Sequence, residues 1–271
     1  MKHDKMSLLF DVVLATGVWL TGAQATWADG FASGSGQITN IQYGLSNPDE
    51  GTINWFYDDG FGNPAWWGEA WVQVADSLGG ADADYYLGNS GIVSAFASTT
   101  LAWGSVDIDL DAEELYGACE ATTPVGGWVY VADHASMFNY FSITPGVLSS
   151  TDGVDVYFSF DYEIHLTGQA EPGASYYVDK AVGMKLEYED DLGNWQLVDG
   201  GQLFFSEFIS GSGDDSDDVM FSGTLSTEVL LAFDVNYSVD FYVYDNVPEP
   251  ATLGLLLAGG VIAFRRRRRS S

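Results

Sequence analysis

The chain has 271 residues, 46% of them hydrophobic, and a formal net charge of -30 at neutral pH. An acidic excess of this size repels nucleic acid and anionic lipid, which need basic patches, and favours solubility and divalent cations. The single cysteine, Cys119, excludes an intrachain disulfide and leaves either a buried thiol or an intermolecular bridge, of which burial is the expectation.

Residues 1–28 read as a secretory signal peptide: Lys2 and Lys5 precede the apolar stretch Val12–Leu20, and small residues follow. Cleavage is expected after Ala25, or alternatively after Ala28. Asp11 is an irregularity next to the apolar stretch, and Met6 offers an alternative start. Val12–Leu20 is too short to serve as a permanent span.

Residues 29–247 form the body. All acids but Asp4 and Asp11 fall between Asp29 and Glu249, 37 in number against Lys180 and Lys185, so the stretch Asp29–Glu249 carries a net charge of −35. Its dominant period is two, the mark of half-buried antiparallel strands. In Val154–Leu166 the residues Val154, Val156, Phe158, Phe160, Tyr162, Ile164 and Leu166 share one face. Asp155, Tyr157, Ser159, Asp161, Glu163 and His165 share the other. A second alternation runs from Val229 to Val243, as two strands or one strand bent near Asn236–Ser238. Val182–Tyr188 and Trp195–Val198 flank a hairpin signal at Glu189–Asn194. Further strands are expected at Thr52–Tyr57, Ala70–Ala75, Gly91–Ala97, Leu101–Leu110, Trp128–Asp133 and Met137–Ile143. Residues 30–50, rich in Gly, Ser and Asn, read as a loose lead-in, and Asp111–Ala118 as a turn or two of helix. Many strands, frequent turns and one apolar face per strand predict an all-β fold, an antiparallel two-sheet sandwich or jelly roll in one domain.

Sites in this body are sparse. Asp107, Asp109 and Asp111 alternate and would share a strand face, about 7 Å between neighbours, wide for one ion. The run Asp214, Asp215, Asp217, Asp218 reads as a solvated acidic loop, with calcium as the alternative ligand and no other cofactor expected. His134 and His165 are the histidines of the body, and no Gly-x-Ser-x-Gly or His-Glu-x-x-His motif accompanies them. His165 reads as a surface residue rather than a general base. The aromatic-rich segment Trp55–Trp71 includes Trp66 and Trp67, read first as core packing and second as a sugar-stacking platform. If the two are adjacent in a strand, their rings point to opposite faces and at most one enters the core.

The tail, residues 248–271, has three parts. Pro248, Glu249 and Pro250 make an extended segment, because proline fixes φ and pushes its predecessor out of the helical region. Ala251–Phe264 is an apolar run of roughly 21 Å if helical, short for a hydrocarbon core of about 30 Å. Arg265, Arg266, Arg267, Arg268 and Arg269 follow, and basic residues beside a span stay cytoplasmic, so the body is expected outside. This order resembles the PEP-CTERM sorting signal of bacterial exported proteins. The resemblance implies a short transmembrane helix inserted transiently, processing by exosortase, and delivery to the cell envelope or an exopolysaccharide matrix. It says nothing of the body. Three functional classes follow in order: a non-catalytic envelope or matrix protein, which is the expectation; a carbohydrate- or calcium-binding module; and a hydrolase.

Overall fold

The computed structural model describes residues 30–123, 129–147, 153–171 and 175–245. The expected signal peptide, Trp128, the sorting motif and the arginine block lie outside the described residues.

Thirteen strands follow one another with no helix among the described residues. They are β1 (Gly30–Leu45), β2 (Gly51–Trp55), β3 (Trp67–Asp76), β4 (Ala81–Gly88), β5 (Ile92–Ser98), β6 (Ala102–Asp109) and β7 (Glu114–Thr123), then β8 (Val129–Pro145), β9 (Gly153–Ala170), β10 (Ser175–Glu189), β11 (Trp195–Ser212), β12 (Asp215–Ala232) and β13 (Asn236–Tyr244). A six-stranded sheet has the order β12-β9-β1-β7-β6-β5. A seven-stranded sheet has the order β11-β10-β13-β8-β3-β4, with β2 paired to β8 beyond the end of β3. All pairings are antiparallel, and the inward faces of the two sheets make one core around Phe141, Phe158, Phe160 and Phe241. The two-sheet antiparallel expectation holds.

The alternation in β9 is reproduced residue by residue: Val156, Phe158, Phe160, Ile164 and Leu166 are buried, while Asp155, Tyr157, Glu163 and His165 are exposed. The alternation from Val229 to Val243 is two strands, broken just ahead of the expected bend by a turn with Asp234 at φ 59°. Its halves belong to different sheets but keep one phase, because both present apolar side chains to the same core. At the β10–β11 hairpin, Asp190 Oδ1 accepts from the N–H groups of Leu192 (2.9 Å) and Asn194 (2.8 Å). Gly193 supplies the positive φ of 78° that the turn requires.

Three expectations are corrected. Residues 30–45 are no lead-in but a central strand, β1, paired on both sides. Its glycines are there because the other sheet comes close: a Cβ on Gly34 would lie 2.8 Å from Val178 Cγ2, and one on Gly36 2.9 Å from Val243 Cγ1. Asp111–Ala118 is a turn leading into β7 rather than a helix. Asp215–Asp218 are not in a loop but begin β12, an edge strand.

Candidate functional site

Antiparallel register lines up side chains in rows on the outer face of the seven-stranded sheet, because alternate residues of each strand point away from the core. One row runs Tyr85 (β4), Trp71 (β3), His134 (β8), Tyr244 (β13). The next runs Leu87, Glu69, Ser136, Tyr242, then past Gly183 to Phe204 on β11. A third runs Trp67, Phe138, Asp240, Lys185. A fourth holds Tyr140, Ser238 and Glu187.

The rings form two ladders. In the first, Trp71 stacks on His134 (centroids 6.0 Å apart, planes at 20°), His134 meets Tyr244 (6.2 Å), and Tyr244 meets Tyr242 (5.5 Å) and Phe204 (6.5 Å). In the second, Trp67 meets Tyr57 (5.7 Å), Tyr57 meets Tyr140 (6.3 Å) and Tyr140 meets Trp195 (5.4 Å). Tyr57 is positioned by a buried side chain beneath it: Asn139 Nδ2 donates to the carbonyls of Tyr57 (2.9 Å) and Ala65 (3.1 Å), tying together the two ends of the loop between β2 and β3. Between the ladders lies a polar strip of Glu69, Ser136, Asp240, Lys185 and Glu187.

The strip has uneven electrostatics. Ser136 Oγ donates to Asp240 Oδ1 at 2.6 Å, and Lys185 Nζ lies 3.4 Å from Glu187 Oε2. Burial pushes the Asp240 carboxyl up to about 6; the Ser136 hydroxyl and Lys185 oppose that rise, and the charges of Glu69 and Glu187 add to it. Burial also raises Glu69, against a hydrogen bond from Tyr85. His134 is pulled down to about 4, first by burial and then by Lys185, so at neutral pH it is an uncharged ring. Ring faces beside hydrogen-bonding carboxylates, a hydroxyl and an ammonium suit a ligand with apolar faces and hydroxyl edges.

The residues singled out from sequence are distributed differently. Trp66 and Trp67 do point to opposite sides, and only Trp67 is on the ring-bearing face. Trp66 is 2% exposed, packs edge-on against Tyr43 and Phe241, and donates through Nε1 to Glu113 Oε1 at 2.8 Å, so the sugar-stacking reading of Trp66 is corrected to core packing. Of the acidic run, Asp217 accepts from the Tyr176 hydroxyl (2.6 Å) while Asp218 pairs with His165 Nε2 (2.6 Å). Asp214 lies ahead of β12, Asp215 and Asp217 stand on one side of the strand and Asp218 on the other, and no three of these carboxylates bring ligand atoms within 4.8 Å of one another. Asp107 and Asp109 share the outer face of β6, but the strand ends there. Asp111 is in the following turn, which Asp109 Oδ1 caps by accepting from the N–H groups of Asp111 (3.1 Å) and Ala112 (3.0 Å). Cys119 is buried, as expected. The one group among the described residues with metal-ligand spacing is Cys119, Asp133 and Asp245, within 4.8 Å of one another. Its cation is supplied by the protein: the ammonium of Lys180 contacts Asp133 Oδ2 and lies 2.9 Å from Asp245 Oδ1. The sequence marked neither this cluster nor the Glu69–Asp240 strip, because each is built by lateral register between distant segments.

Tyr244 closes β13, and in sequence Asp245 and two further residues lead into the proline-flanked glutamate and the apolar and arginine-rich run. Residues 246–269 match the family model described as the PEP-CTERM protein-sorting motif. The tail carries a PEP-CTERM sorting motif. The PEP-CTERM match covers none of the described strands, and no curated protein matches the chain. The PEP-CTERM tail implies an exosortase substrate and points to export with transient anchoring at the C-terminus.

Proposed function

We propose that this is an exosortase-processed protein of the cell envelope or exopolysaccharide matrix whose body is non-catalytic and holds polysaccharide on the outer face of the seven-stranded sheet. The observation that carries this reading is the pair of ring ladders on either side of the Glu69–Ser136–Asp240–Lys185 strip. Sugar rings stack on the aromatic faces, and their hydroxyls exchange hydrogen bonds with the strip. The net negative body favours neutral or cationic polysaccharide over anionic. In affinity electrophoresis of the protein against neutral, cationic and anionic polysaccharides, retardation by one of the first two, with a change in tryptophan fluorescence, is expected. No retardation by any of them would remove the binding reading.

For the tail, the mature protein recovered from its native cell is expected to end close to Pro248–Ala251. Recovery with Arg265–Arg269 still attached would overturn the processing step.

A second reading is favoured by one observation. Asp240, pushed up to about 6 chiefly by burial, sits in the field of Glu69 and Glu187, and a carboxyl raised toward neutrality is what the general acid of a glycoside hydrolase uses. Release of reducing ends from a retained polysaccharide, lost in Asp240→Asn, would turn the binding face into a hydrolase; retardation without release keeps the first reading.

A further inference from the structure

The body has two lysines, and Lys180 is completely buried. In a domain this acidic an exposed lysine would offset surface repulsion, so its place in the core calls for a partner of equal weight. Register supplies two. Lys180 of β10 stands level with Asp245, one residue past β13, which stands level with Asp133 of β8, and Asp245 N–H donates to the carbonyl of Asp133 at 3.3 Å. Lys180 and Asp133 are thus two strand spacings apart, about 10 Å between backbones, a gap that an extended lysine and a short aspartate fill end to end. The Lys180 ammonium contacts Asp133 Oδ2, and both side chains have no exposure.

The opposite sheet is trimmed around this cluster. A Cβ on Gly34 would lie 3.4 Å from Lys180 Cγ, and one on Gly117 would lie 3.1 Å from Asp133 Oδ1. Cys119 fills the remaining side, its Sγ 3.8 Å from Asp245 Oδ1. Asp133 Oδ1 and Asp245 Oδ2 are buried and have no hydrogen-bond partner, so the carboxylates are incompletely compensated. An ion pair in a dry core is a costly way to join two strands, and removing both charges together relieves that cost.

We infer that Lys180 and Asp133 form an intramolecular amide crosslink, with Asp245 as the proton shuttle. Nζ adds to Cγ of Asp133, the Nζ–Cγ bond forms, and one Cγ–O bond breaks. The ammonium gives up two of its three protons, and these leave with the departing carboxylate oxygen as one water, so no oxidant, cofactor or energy source is consumed. Asp245 donates a proton to the leaving oxygen and recovers one from nitrogen. Its environment fits that role, because burial and the neighbouring Asp133 charge push its carboxyl well above the ordinary carboxylate range. Burial alone would pull the Lys180 ammonium down, and the flanking carboxylates more than reverse this, holding the ammonium above its ordinary value until a proton is passed within the triad. In a chain that cannot make an intrachain disulfide, the bond would close a long loop, the two residues lying 47 apart in sequence. It would tie β8 to β10 across the end of β13, the strand that leads to the membrane tail.

The test is intact-mass spectrometry of the full chain, followed by digestion at aromatic residues and fragment sequencing. A folded protein lighter than its sequence by one water, with fragments bearing Asp133 and Lys180 joined, is the expected result. Full sequence mass in protein with a native near-ultraviolet dichroism spectrum would overturn the inference, as would a water lost at any other site. Asp133→Asn gives an independent mark, since its side chain would leave as ammonia, and the loss should change accordingly. Asp245→Asn, if folded, should accumulate at full mass, the reaction slowed on the order of 100-fold or more; crosslinking at the parent rate would remove Asp245 from the mechanism. Lys180→Met keeps the bulk without the amine and should show no loss, and its melting temperature should fall by about 10 °C, the scale expected for opening a crosslinked loop in a domain of this size.

Discussion

The two outer faces of the sandwich share one core and differ in how their rings are arranged. On the six-stranded sheet one outward row reads Phe96, Ser105, Ala118, Ser35, His165, Met220, and Trp103, Tyr116 and Tyr157 stand elsewhere on the face, but among the described residues no ring contact joins Phe96, Trp103, Tyr116 and Tyr157. Its polar side chains are mostly satisfied within the face: Thr224 Oγ1 donates to Asp161 Oδ1 (2.5 Å), Asn40 Nδ2 donates to Asp161 Oδ2 (2.9 Å), and His165 pairs with Asp218. On the seven-stranded sheet the same outward positions carry Trp67, Trp71, Phe138, Tyr140, Tyr242 and Tyr244. A β-sandwich needs only its inward residues to be apolar. A solvated outer face does not need its rings in contact with one another, as the six-stranded sheet shows, so folding alone does not call for the ladders on the other. That contrast supports the proposal of binding on the seven-stranded side.

Five changes to the molecule test this difference between the faces. Both faces rest on Phe141, which is fully buried against Trp55, Phe158 and Tyr237. Phe141→Ala is expected to cost about 3–5 kcal/mol in denaturant melts and to remove sugar retention with it. Trp67→Ala should weaken polysaccharide binding about tenfold, equivalent to about 1.4 kcal/mol, while Trp103→Ala on the six-stranded side leaves affinity unchanged. Equal losses from both would dissolve the assignment of binding to one face.

The third concerns pH. Asp240 and Asp179 have folded-state values raised from 3.8 to about 6, in both cases chiefly by burial. The folded protein therefore binds these protons more tightly than the unfolded chain does. The contribution is fully present below about 4 and is lost as pH rises through about 6. Between pH 4 and pH 7 the melting temperature should fall by about 5 °C from this cause, and Asp240→Asn should flatten the slope. A melting temperature that rises over the same interval, with no flattening in the variant, would show that other groups dominate.

Smaller effects are expected elsewhere. Glu113 accepts from both Trp66 Nε1 and the Tyr43 hydroxyl (3.1 Å), and Glu113→Gln, which keeps an acceptor without the charge, should cost about 1 kcal/mol. Ser222→Ala, on the exposed side of β12, should change stability by less than about 0.5 kcal/mol and binding not at all.

The sorting tail and the all-β class are legible along the chain, because a terminal motif and a period of two are properties of contiguous residues. Also legible is which residues of β9 and β13 face inward, since their apolar alternation is unbroken. Edge strands were less legible. β4 is exposed along almost its whole length, and β12 reads as an acidic loop at Asp215–Asp218, because a strand that buries little apolar surface needs no alternation. β1 was hidden for the opposite reason, its inward glycines being set by the side chains that crowd them from the other sheet. The two chemical features come into being with the fold. Trp71, His134 and Tyr244 become neighbours, and Lys180, Asp245 and Asp133 become level, through the lateral register of strands far apart in the chain. Periodicity reports which face of its own strand a residue occupies. Which residues stand beside it is fixed by pairing between strands, and that pairing is set by the packing of the whole core.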